Sequence, residues 1–128
     1  MSNELSTPKI LTCRSDDERV PANSWPDLNN TNISYFVNPS PSDVYPQMVL
    51  SGDDNFAIDG VPVNSGVLNL WTNRSISWTA KRHHFAGNLA LADGSVSQVS
   101  LSGLASALGQ ITNLVGQTDV PTNVVVIP

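Results

Sequence analysis

At 128 residues the chain is the length of one domain, and its 40% hydrophobic content suits a real but modest core. Charged residues make up 13%, about half the usual share, and a net charge of -5 leaves nothing to neutralise a row of phosphates, which excludes a general nucleic-acid binder. The single cysteine, Cys13, excludes an intrachain disulfide and a cysteine zinc cluster, and no apolar run approaches the roughly 20 residues of a membrane span.

The polar remainder is mostly Ser, Thr and Asn, with nine Pro and eight Gly. Ser, Thr and Asn compete with helix hydrogen bonds, so this mix favours a loop-rich β architecture. In chain order, residues 2–8 offer helix caps without helical periodicity. Ile10 and Leu11 form an apolar anchor before a charged turn over residues 13–19. Residues 21–32 read as a loop pinned by Trp25 and Leu28.

Residues 33–38 predict a strand with Ile33, Tyr35 and Val37 on one face, stopped by Pro39 and Pro41. Met48-Val49-Leu50 predicts a buried strand that ends in the turn formers Gly52-Asp53-Asp54-Asn55. Residues 56–63 read as a loop with a turn at Asp59-Gly60. Alternation over residues 66–71 and again at Ile76 and Trp78, separated by a Thr72-Asn73-Arg74 turn, predicts a meander of antiparallel strands.

Asp93-Gly94 is a strong two-residue hairpin signal. A type I′ turn there sets Leu89 opposite Gln98 and Leu91 opposite Val96, so Leu89, Leu91 and Val96 face the core. Ala90, Ala92, Ser95 and Ser97 then make a small-residue face open to close approach by another element. Leu101, Leu104, Ala105, Leu108, Ile111 and Leu114 recur at helical spacing, with Ser102 as a cap and Gly116 as the end; this helix is expected on that small face. Residues 124–127 predict a last edge strand.

Both histidines, His83 and His84, sit ahead of the hairpin. With Asp53, Asp54 and Asp93 they suggest a metal-dependent enzyme, but adjacent histidines on an extended strand point to opposite faces, so one at most reaches a shared site. Asp53, Asp54 and Asn55, with Asp59, offer oxygen ligands for calcium, though the full calcium-loop pattern is missing and an Asx turn satisfies the same residues. Trp25, Trp71 and Trp78 on one exposed face would make a carbohydrate-binding module. Cys13 reads as a small buried residue.

His83, the nine residues that follow it, and Asp93-Gly94 together resemble the H-x9-D-G signature of prepilin-type proteins in the type IV pilin and type II secretion pseudopilin superfamily. Leu11-Thr12-Cys13-Arg14-Ser15-Asp16, Ile33-Ser34-Tyr35-Phe36, Leu50-Ser51-Gly52-Asp53-Asp54-Asn55 and Val126-Ile127-Pro128 are also similar to family stretches. Arg14 stands where the family has Pro, and Asp54 where it has Arg.

The resemblance implies an α+β, pilin-like headgroup over residues 1–128, an antiparallel sheet with hairpins packed on one or more helices. The membrane-anchoring helix of the superfamily is then expected upstream. It also implies a non-catalytic filament subunit on the periplasmic or cell-surface face of a bacterial envelope. Its partners are other pilin-like subunits and secretion components. His83, Asp93 and Gly94 become a structural signature with no catalytic task. Calcium at Asp53, Asp54 and Asn55 is the one ion the resemblance suggests.

Overall fold

Short runs of β-branched and aromatic residues, punctuated by Pro, Gly and Asn, favour strands over helices. A computed structural model describes residues 4–40, 44–70, 74–112 and 124–128. Within them lie β1 (Tyr35–Val37), β2 (Val49–Asp53), β3 (Phe56–Ile58), β4 (Val61–Pro62), β5 (Gly66–Asn69), β6 (Ile76–Trp78), β7 (Gly87–Leu91), β8 (Val96–Val99), the helix α1 (Leu101–Thr112) and β9 (Val124–Ile127). Ahead of β1 the chain makes 3-10 turns at Pro8–Leu11, Trp25–Asp27 and Asn30–Asn32, the first capped by the Thr7 hydroxyl.

Six strands form an antiparallel sheet in the order β5-β9-β1-β2-β7-β8, and three form a second sheet, β4-β3-β6. Phe36, Val49, Leu89, Val125 and Ile127 of the large sheet meet Phe56, Ile58 and Trp78 of the small one, with Leu70 and Leu104 completing the core. Phe56 sits at its centre. It meets Phe36 edge-on at 5.7 Å between centroids and Trp78 edge-on at 6.4 Å, the arrangement aromatic quadrupoles prefer.

This corrects the expected α+β, pilin-like fold: the chain is mostly antiparallel β, in two sheets. The overturning segment is residues 56–63, read above as a loop. Asp59 and Gly60 take left-handed backbone (φ 52° and 80°), which suits a tight hairpin, and fold β3 onto β4. The resulting small sheet supplies the aromatic cover that a helix was expected to give. α1 lies against β6 and β8, and Leu104 is the one fully buried side chain among those described on it.

Pairing also departs from the expected meander. β5 pairs with β9, and β6 with β3. β9 is an interior strand between β5 and β1, not an edge. Val125 and Ile127 face the core while Val124 and Val126 lie on the outer side, as a run of four apolar residues allows. The Thr72-Asn73 part of the expected turn, and Leu114 and Gly116 at the expected helix end, lie outside the described residues.

The β7–β8 hairpin forms, but one residue out of the expected register. Leu91 N–H donates to Ser95 O and Gly94 N–H to Leu91 O, which makes a three-residue connection with Gly94 left-handed at φ 85°. Leu89 therefore faces Ser97, and Ala90 faces Val96. Since side chains alternate with period two, this slip carries Val96 from the core face to the outer face, where it is 67% exposed.

Candidate functional site

Because Phe36, Gly52 and Leu89 face the core, their neighbours Tyr35, Asp53 and Asn88 point out the other side of the large sheet. There they meet the N-terminal segment and the loop from β6 to β7. Ser34 N–H donates to Leu11 O, Cys13 N–H to Ser34 Oγ, and Ser34 Oγ to Asp16 Oδ2 at 2.6 Å. Asn55 Nδ2 donates to the carbonyls of Lys81 and Ala86, which ties the loop to the end of β2.

Two buried acids, the buried Arg82 guanidinium and the half-buried Arg19 guanidinium then close a quartet. Arg19 pairs with Asp54 Oδ2 at 2.7 Å and Asp16 Oδ2 at 3.0 Å; Arg82 pairs with Asp16 Oδ2 at 3.0 Å and with Asp54 Oδ1. The four formal charges cancel, as burial requires. Arg82 and the loop residues His84 and Phe85 hold left-handed φ of 60°, 49° and 64°, uncommon for such side chains. That backbone turns Arg82 and His83 inward and leaves His84 exposed.

Burial alone would raise the Asp16 carboxyl, but hydrogen bonds from Ser34 and Arg19, the Arg82 charge and the Glu18 amide hold it below its ordinary 3.8. A folded-state value below the unfolded one contributes stability above the unfolded value, and this is lost as pH falls through the folded value. Urea midpoints should therefore drop on acidification below about pH 4, with a shallower fall in Asp16→Asn. Equal slopes in the two proteins would overturn the assignment.

Beside the quartet, Cys13 Sγ and Asp53 Oδ2 each lie 3.4 Å from His83 Nε2. Both contacts fall on one nitrogen. A nucleophile–base–acid relay needs the two ring nitrogens on different partners, so this is not that arrangement. The three side chains can instead place their donor atoms around one point, all within 4.8 Å of one another. Burial, together with the adjoining Cys13 and Asp53 side chains, pushes the neighbouring Tyr35 hydroxyl up to about 12. A cleft of about 670 Å³ is lined by Thr12, Cys13, Asp16 and Tyr35 among others.

Asp53, Asp54 and Asn55 are not a solvent-facing loop. Asp53 ends β2 and accepts from Asn88 N–H and Nδ2; Asp54 is held by the two arginines; Asn55 braces the β6–β7 loop. His83 and Asp53 lie side by side, whereas Asp93 sits exposed at the hairpin tip, accepting from Ser95 N–H and Oγ. Asp59 pairs with exposed Arg74. Trp78 is core, Trp25 is half-buried, and Trp71 lies outside the described residues.

Sequence reasoning missed Asp16, Arg19, Ser34, Arg82 and Asn88 and took Cys13 as apolar filler. One signal was available: residues 11–16, 33–36 and 50–55 and His83, each singled out separately, all supply members of this cluster. Comparison with protein-family models, curated proteins and solved structures returned no match.

Proposed function

We propose that this chain is a non-catalytic assembly subunit, the headgroup of a type IV pilus-like or type II secretion pseudopilus filament at a bacterial envelope, and that it packs against further copies of itself. The observation that carries the reading is the outer face of the large sheet. Register places Val67, Val126, Val37, Ser51, Ala90 and Val96 in one row across all six strands. Val67, Val37 and Val96 are 70%, 49% and 67% exposed. An uncharged apolar row of this kind marks an interaction surface.

In a chain of net charge -5, this row is where two copies can meet without opposing carboxylates. The chemistry of the polar cluster fits the same reading, since Asp16, Asp54, Arg19, Arg82 and Asn55 are consumed in bonds that tie segments together. The proposal rests on this surface and on the sequence resemblance, not on a helix-packed headgroup. Among the described residues no helix is long and apolar enough to cross a membrane.

Burying each valine is worth at most about 1.5–3 kcal/mol, and association consumes much of that. Self-association of the headgroup alone is therefore weak and concentration-dependent. Sedimentation over micromolar to millimolar protein should show the average mass rising. Val37→Lys should abolish the rise, while Val20→Lys, at an exposed site off the row, should leave it intact. A monomer throughout, or equal association in Val37→Lys, would sink the proposal.

A further inference from the structure

Asp53 is fully buried, with 0% exposure; among the described residues no arginine or lysine pairs with it, and the basic side chain beside it is His83, with Nε2 3.4 Å from Oδ2. Asn88 supplies both hydrogen bonds to Oδ2, at 2.7 and 2.9 Å, and Oδ1 has no partner. The neighbouring quartet cannot supply the missing positive charge, because its two acids already balance its two guanidiniums. A buried carboxyl that keeps its charge needs a cation or a metal ion beside it.

The geometry points to a zinc-class metal site formed by Cys13 Sγ, Asp53 and His83 Nε2. Tetrahedral zinc with legs of about 2.0–2.3 Å sets neighbouring donors about 3.4–3.6 Å apart. The two distances around His83 Nε2 are both 3.4 Å. A thiolate, an imidazole and a carboxylate select a borderline-soft ion and disfavour calcium, which takes six to eight oxygens. Binding forms the metal–sulfur bond as the thiol proton leaves to solvent. The divalent ion, thiolate, carboxylate and neutral imidazole then sum to zero charge, as the buried position requires.

The cleft lined by Thr12, Cys13 and Tyr35 provides the entry path. Asn88 acts as the outer partner that orients Asp53. The ion thus joins the N-terminal segment, the end of β2 and the β6–β7 loop at one point, a clamp across residues 70 apart in sequence. It is independent of the sheet-face assembly, so each can fail alone.

The test is a cobalt(II) titration of the chelator-treated protein followed by zinc competition. One equivalent of cobalt should give a near-ultraviolet thiolate charge-transfer band and intense visible bands, both lost on adding zinc. Cys13→Ser should remove the charge-transfer band. His83→Ala should weaken binding by more than the roughly 10–100-fold typical of outer-shell changes, and His84→Ala should leave it unchanged. Circular dichroism checks that each variant is folded, and the wild-type spectrum decides the matter without them. No saturable band in the wild type, a band that survives in Cys13→Ser, or equal loss in the two histidine variants would overturn the assignment; the first means that His83 alone balances Asp53.

Discussion

Replacing Arg82 by alanine should destabilise the fold by about 3–5 kcal/mol, the cost of removing one partner from a buried ion pair. The Arg82 side chain is 5% exposed, and its acids, Asp54 and Asp16, are 3% and 1% exposed. The same guanidinium donates to Ser34 O at 3.2 Å, so its loss leaves two buried carboxylates to share the single guanidinium of Arg19 and removes a carbonyl contact. Arg82→Lys should not rescue, because an ammonium cannot span Asp16, Asp54 and Ser34 as the planar fork does. Asp59→Ala, which breaks an Arg74 pair whose side chains are 54% and 50% exposed, should cost far less, because water screens an exposed pair. Urea unfolding followed by tryptophan fluorescence measures all three. Equal effects at Arg82 and Asp59 would show that the quartet is not buried as described.

The second large effect is expected at Gly87, where β7 begins against the face of Trp78. A methyl group there would lie 2.4, 2.5 and 2.7 Å from three atoms of the indole ring. Trp78 cannot step aside: it is 3% exposed and held edge-on by Phe56. Gly87→Ala should therefore cost about 1–3 kcal/mol through overpacking, and Trp78→Phe in the same chain should recover part of it by returning volume. A double-mutant cycle reads this as a coupling opposite in sign to the single effects. Gly94→Ala makes a useful contrast. No atom lies within 4 Å of its added methyl, so only the left-handed backbone at φ 85° penalises it, by about 1–2 kcal/mol. Gly87→Ala within about 0.5 kcal/mol of wild type would refute the packing account.

Local patterns in the sequence determined where several elements lie. Alternation over residues 66–71, of which 66–69 form a strand, and at Ile76 and Trp78, the apolar run at 124–127 and the three-to-four spacing from Leu101 each mark the place of an element. The turns at Asp59-Gly60 and near Asp93-Gly94 are also where turn chemistry put them. These signals are legible because propensity, period and turn residues act within a few positions. Period alone could not tell that residues 56–58 form a strand, since three buried residues in a row carry no alternation.

Only the tertiary structure decided pairing, register and the site. Whether β9 ends a sheet or fills its middle depends on β5 and β1, far away in sequence. The Val96 face depended on a single added turn residue at the hairpin. The left-handed backbone at Arg82, His84 and Phe85, which sends one histidine in and the other out, is imposed by Asn55 and the acids around it, not by local preference. Cys13 and His83 meet because two sheets share one core and the N-terminal segment crosses the outer face. Sequence therefore determined the short-range elements and the residue types available, whereas long-range packing chose which of those residues meet, because contact between distant segments is a property of the folded backbone as a whole.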